Sequence, residues 1–305
     1  MPESHKPSDY LGILLFIVIT LSLGYASAYQ TTAIFGVLPI YWVFATSYLI
    51  HFIAFIPSFC CHTEKYFDLS GMVAYLSAIA VALLLIYLRD SCLSLHTLSL
   101  SIMVCLWSIR LGVFLFKRII EEKEDRRFRE VKYSFSGFLQ AWTISATWVC
   151  ITASNAFTAI INNDVKNIDL FFIIGFVLWT VGFTFEVVAD YQKSCFKKDL
   201  KNKNDFITTG LWSISRHPNY LGEITLWFGI ALISYPVLEG WQIVTLVSPL
   251  FVYLLLTKIT GINLLEKRSN TKWGNKLKYQ EYIRKTPVLF PKIYSRRSNN
   301  TYHSN

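Results

Sequence analysis

Thr209-Gly-Leu-Trp-Ser-Ile-Ser-Arg-His-Pro-Asn-Tyr-Leu-Gly-Glu223 passes from a basic loop into an apolar run. Arg216, His217, Asn219, Tyr220 and Glu223 fall within eight positions of it. Donors, acceptors and titratable groups therefore crowd the mouth of a segment apolar enough to enter a bilayer. Interface anchoring accounts for Arg216 and His217, and Pro218 suits the first turn of a helix. Anchoring does not require an Asn and a Glu that run on into the apolar segment, where ionisable groups mark functional sites.

Outward from this stretch the chain is apolar almost throughout. Of 305 residues, 53% are hydrophobic and 16% charged, and mean hydropathy is positive. One bilayer crossing takes about 20 apolar residues. Suitable runs occupy 11–29, 33–56, 71–88, 97–116, 138–161, 168–189 and 241–262, with a shorter one from 219 to 236. They predict an all-α polytopic membrane protein of about seven or eight transmembrane helices. A single integral membrane domain is expected over 1–294, followed by a polar tail at 295–305 with the composition of disorder. The seventh run is short and is expected to tilt or to be partly re-entrant. The first, with Lys6 before it and Ala26-Ser27-Ala28 at its end, imitates a signal peptide. Glu3 and Asp9 offset the positive head region, so an uncleaved first span is expected.

The formal net charge is +9. Residues 117–132 hold seven Lys and Arg, residues 193–216 hold six, and the segment from 258 onward is also rich in them. The links at 30–32, 89–96, 162–167 and 237–240 hold few. That alternation predicts basic loops and a C-terminus on the cytoplasmic side. Basic residues split among loops do not form a nucleic-acid module; the expected partners are the bilayer and a lipid-soluble small molecule. The six cysteines include no C-x-x-C pair, so neither a disulfide framework nor a metal site is expected.

The sixth run ends Phe185-Glu-Val-Val-Ala-Asp-Tyr-Gln-Lys193. Glu186 and Asp190, four apart, share one face of a helix. Two acids at a helix C-terminus oppose its dipole unless cations or ligand hydroxyls meet them; an ion pair with Arg216 or Lys193 is the structural alternative. After the last run come Glu266, in Gly261-Ile-Asn-Leu-Leu-Glu-Lys-Arg268, and Tyr279 and Tyr282. The spacing of Leu265, Arg268 and Lys272 predicts an amphipathic interfacial segment. The clusters at 190–201, 215–223 and 266–282 thus belong to one side of the membrane. Arg and Lys suit phosphate oxygens, while Asp190, Asn219 and Glu223 accept from sugar hydroxyls or an amide. The combination predicts a cytosol-facing nucleotide pocket between the C-terminal helices. Neither G-x-G-x-x-G nor G-x-x-x-x-G-K-[ST] occurs, so the Rossmann and P-loop solutions are not used.

The stretch from Gly210 to Glu223 resembles the signature of an uncharacterised family of polytopic membrane proteins related to the C-terminal domain of steroid 5-alpha-reductases. The similarity extends to residues 107–110, 124–127, 185–193, 248–249, 261–266 and 279–287, within a region of about 100–291. The resemblance implies a helical membrane fold holding NADPH and delivering hydride to an activated carbon–carbon double bond of a steroid-like or other lipid substrate. Asn219 and Glu223 match the Asn and Glu of the reductases' Gly-x-Asn-x-x-Gly-Glu, which contacts the cofactor. Asp190 matches a cofactor-binding acid, and Glu266 and Tyr279 fall in a later cofactor-contacting region. Arg216-His217-Pro218, with Tyr220 after it, looks closer to sterol reductases and to isoprenylcysteine and phospholipid methyltransferases. That departure implies S-adenosylmethionine as the alternative cofactor. The catalytic acid is unassigned; Tyr41, Tyr48 and His51 are candidates by location in the second run, against packing and interhelical hydrogen bonding. A non-catalytic lipid-binding protein is the third reading.

Overall fold

A computed structural model describes residues 6–259 and 261–291. The segment 295–305 lies outside the described residues. Among the described residues there is no β-strand, only an isolated bridge between Ile34 and Val37.

Seven described helices or helical stretches are long and apolar enough to cross a membrane. Five carry the first, second, third, fourth and sixth runs: α1 (Pro7–Ser27), α2 (Pro39–Cys60), α3 (Phe67–Asp90), α4 (Leu95–Glu122) and α7 (Leu170–Lys198). The seventh run gives α8 (Pro218–Ser234), a continuous helix prolonged by a 3-10 turn to Val237. Proline opens α1, α2 and α8, where its missing N–H costs nothing. Ser94 caps α4 by accepting from Thr97 N at 3.1 Å.

The fifth run is broken. It forms α5 (Phe135–Thr152) and α6 (Ser154–Asn162), bent by 52° at Ala153. The break has a chemical cause in Thr152-Ala-Ser-Asn155. Ser154 Oγ donates to Ile151 O at 2.8 Å and to Thr245 O at 3.1 Å, and Ala156 N donates to Asn155 Oδ1 at 2.7 Å. These side chains compete with the helical ladder, and Ser248 Oγ donates to the freed Thr152 carbonyl. The last run is also irregular: a 3-10 stretch (Gly240–Leu246), α9 (Val247–Leu254) and a π-helical turn (Leu255–Ile259) precede α10 (Ile262–Trp273) and α11 (Leu277–Lys285).

The chain divides into two compact units, Met1–Thr180 with Thr225–Leu254, and Val181–Ile224 with Leu255–Asn305. Aromatic packing dominates the first. Trp142 is fully buried and edge-on to Phe67 at 5.3 Å and Phe138 at 5.9 Å, with Phe55 and Phe128 in the same cluster. Several polar side chains inside this unit bond across helices, as favours a lipid-embedded bundle, while Trp142 Nε1 and both ring nitrogens of His96 are buried with no hydrogen-bond partner among the described residues. His51 holds Ser47 O at 2.8 Å through Nδ1 and Ser145 Oγ at 3.0 Å through Nε2. Tyr48 bridges the hydroxyls of Thr20 and Thr147, and Tyr41 packs over Gly24. These three therefore sit in interhelical contacts. At one end of the unit, Asn163 joins Ser94 N, Asp90 and Cys92 O, while Asn162 and Gln242 bond each other, Val237 O and Tyr29 O. The weakly basic links are thereby knotted together.

Candidate functional site

In the second unit the C-terminal half of α7, the loop 199–217, the first turns of α8 and the pair α10–α11 come together. Loop and helix ends are stitched by backbone and side-chain bonds. Trp212 Nε1 donates to Ala189 O at 3.0 Å, fixing the loop to α7. Gly210 adopts φ +61°, and a Cβ there would meet the Gln192 side chain at 2.5 Å. Only glycine combines that dihedral with that approach, which lets Leu211 N reach Gln192 Oε1 at 3.0 Å. Tyr282 OH donates to Trp212 O at 2.7 Å, and Arg216 N donates to Pro287 O at 2.9 Å, so α11 and its sequel close over the loop.

At the centre stands Glu266 on α10. Its Oε2 accepts from Arg216 Nη1, and its Oε1 lies 2.8 Å from His217 Nε2. Because an ionised carboxylate only accepts, His217 carries its proton on Nε2, leaving Nδ1 as an acceptor. Burial lowers the affinity of His217 for a second proton, with Glu266 opposing that shift. The imidazole is thus neutral at pH 7 and stacks on Tyr220, ring centres 5.7 Å apart. Arg216 Nε is buried with no hydrogen-bond partner among the described residues.

Asn219 and Tyr220 occupy the first turn of α8, half-buried, and Glu223 follows one turn later. The α8 helix approaches α7 closely here: a Cβ on Gly222 would lie 2.5 Å from Gly182 O and 2.6 Å from Glu186 N. Glu186 and Asp190 are both buried on α7. Tyr279 is buried edge-on to Phe206, centres 5.0 Å apart, in an aromatic cluster with Trp273 and Tyr282. Burial raises the phenol pKa of Tyr279 and of Tyr282, so both stay protonated at neutral pH.

The structure therefore brings Arg216, His217, Tyr220 and Glu266 into direct contact. It sets Asp190, Asn219, Glu223 and Tyr279 on the surrounding elements of the same unit. The acid that grips Arg216 is Glu266, a partner the sequence did not single out when it offered Arg216 or Lys193 as ion-pair partners for the acids of α7. Gln192 and Trp212 build the site without having been anticipated in that role; the Thr-Gly-Leu-Trp sequence, a glycine needing positive φ beside a large aromatic, is the signal that points to them.

No solved structure matches the chain. The "Probable O-methyltransferase ustE" of Ustilaginoidea virens is 40% identical over 70 residues, 23% of this chain and 24% of that protein. The "Probable 7-dehydrocholesterol reductase" of Acanthamoeba polyphaga mimivirus is 25% identical over 184 residues, 54% of this chain and 39% of that protein. The chain thus spans about a quarter and about two fifths of the lengths of these curated relatives. A match to the family described as "Protein of unknown function (DUF1295)" runs over residues 54–286, from α2 to the end of α11, and on it the chain belongs to that family.

Proposed function

We propose that this membrane protein is an oxidoreductase that uses NADPH to reduce a carbon–carbon double bond in a steroid-like or other lipid-soluble substrate. The observation that carries the reading is the grip of Arg216 and His217 on Glu266. It fixes a guanidinium and the N-terminus of α8 beside one another with Arg216 Nε still seeking an acceptor. A buried guanidinium donor of this kind fits a phosphate oxygen. Asp190, Asn219, Tyr220 and Glu223 supply acceptors and donors for ribose and amide groups, with Glu266 and Tyr279 completing the pocket. The similarity to a 7-dehydrocholesterol reductase supports a lipid-type substrate.

NADPH supplies a hydride when bound. This chain's residues bind and orient it, and a general acid of the tyrosine type protonates the carbon next to the one reduced. The bilayer delivers the apolar substrate, and with basic loops on the cytoplasmic side the pocket draws its cofactor from the cytosol. A second reading, S-adenosylmethionine-dependent methyl transfer to a lipid or prenylcysteine, is favoured by the 40% identity to an O-methyltransferase. There the substrate brings the nucleophile, and His217 and Glu223 position the cofactor.

Thermal unfolding of the full chain in detergent, with NADPH, NADH or S-adenosylmethionine, separates the readings. A cofactor at a hundred times its Kd stabilises by about 2.7 kcal/mol. Stabilisation by NADPH above the other two is expected. A preference for S-adenosylmethionine selects the second reading, and no shift with any of the three leaves a non-catalytic lipid-binding protein. Asn219→Ala and Glu223→Ala should each weaken cofactor binding without lowering expression. Wild-type binding in both variants overturns the site.

A further inference from the structure

Net charge is divided unequally between the two units. Among the described residues the first holds 12 Lys and Arg against 12 Asp and Glu and the second 14 against 7, so the excess lies in the second. Most of it does not belong to the nucleotide pocket. Residues 196–205 and 267–278 carry nine basic side chains and two acids. Both acids are engaged locally. Asp199 accepts from Lys201 N at 3.0 Å, and Asp205 pairs with Lys278 at 2.7 Å.

The two segments form one surface. Trp273 Nε1 and Lys276 Nζ both donate to Asn204 O, at 3.2 and 2.7 Å, and Lys278 lies over the Phe206 ring at 5.6 Å. Lys201 and Lys203 on the loop, and Lys272 and Lys276 on the helical side, are exposed. Two large apolar side chains stand out among them: Leu200 is 86% exposed and Leu277 79%. The loop begins directly after α7, a helix apolar enough to span the bilayer, whose last residues are Lys197 and Lys198. This surface therefore starts at headgroup depth.

We infer that this lysine-rich surface, with Leu200 and Leu277 at its crest, seats on anionic phospholipid headgroups of the leaflet in which α7 ends. Charge complementarity selects the partner: a net charge of +7 in these two segments attracts phosphate and carboxylate headgroups, whereas zwitterionic lipid offers no net field. Exposed leucines flanked by lysines fit the boundary between headgroups and acyl chains, with the apolar tips inward and the ammonium groups among the phosphates. The inference does not depend on which cofactor the pocket takes, because none of these lysines is among the residues proposed to hold it.

The test is native mass spectrometry of the full chain released from mixed phosphatidylserine–phosphatidylcholine micelles, with wild type beside Lys201→Gln/Lys203→Gln/Lys272→Gln/Lys276→Gln. Wild type should retain phosphatidylserine over phosphatidylcholine, and the preference should fall roughly fivefold for each charge removed. Because Lys276 also bonds Asn204, Lys201→Gln/Lys203→Gln is measured in parallel; it leaves that contact intact and should lose part of the preference. Inorganic phosphate and a short RNA serve as competitors. Equal retention of both lipids, an unchanged preference in both variants, or displacement of lipid by phosphate or RNA at equal concentration would overturn the inference.

Discussion

Around Trp142 the first unit packs aromatic rings edge to face and joins helices through neutral pairs such as His51 with Ser145 and Tyr48 with Thr147. Around Glu266 the second unit joins distant segments through a carboxylate, a guanidinium and an imidazole. The first device holds helices together where burial from water contributes little, because lipid is as apolar as a side chain; the second works where a loop meets helix ends. They fail differently. A packed aromatic loses contact energy when truncated, whatever the salt or pH, whereas a charge cluster responds to every change in its partners' protonation.

The largest test removes the ring at the centre of the first unit. Trp142→Ala should cost about 4 kcal/mol, from the cavity left among Phe55, Phe67 and Phe138. Denaturant titration in detergent should give the same loss at low and high salt. Next, Glu266→Ala leaves Arg216 largely buried without its carboxylate and should cost about 3 kcal/mol. Glu266→Gln, which keeps an acceptor, should recover part of it. A Glu266→Ala variant as stable as wild type would break the contrast between the units.

The smallest test is titration of His217. Burial makes the folded imidazole a weaker base than an exposed one, so the unfolded chain binds the proton more tightly. The stability this group contributes is complete above the ordinary value of 6.5 and is lost as pH falls through the lower folded value. The slope should be at most about 1.4 kcal/mol per pH unit. His217→Gln should flatten the melting-temperature profile below pH 6.5 relative to wild type.

Hydrophobic runs revealed the spans because bilayer thickness imposes a length that composition alone reports. Their ends were less legible. The α4 helix continues to Glu122 and α7 to Lys198, beyond runs ending at 116 and 189, since a helix persists into the polar interface after its apolar stretch stops. The bend at Ala153 was hidden because Thr, Ser and Asn in an apolar run read as tolerable helix residues until a partner is found for them. The same limit applied at the site. Arg216, His217 and Glu266 were identifiable as residue types, but spacing carries no information about a partner fifty positions away.

That bend also bears on how the protein is made. Ser154 and Thr152 find their partners in Thr245 and Ser248, 91 and 96 residues later in the chain. While those residues are still inside the ribosome, the fifth run must enter the membrane either straight or with an orphaned carbonyl. Local bonds of Ser154 and Asn155 favour the kink from the start, but its pairing is complete only when the eighth apolar run arrives to accept and donate at the break.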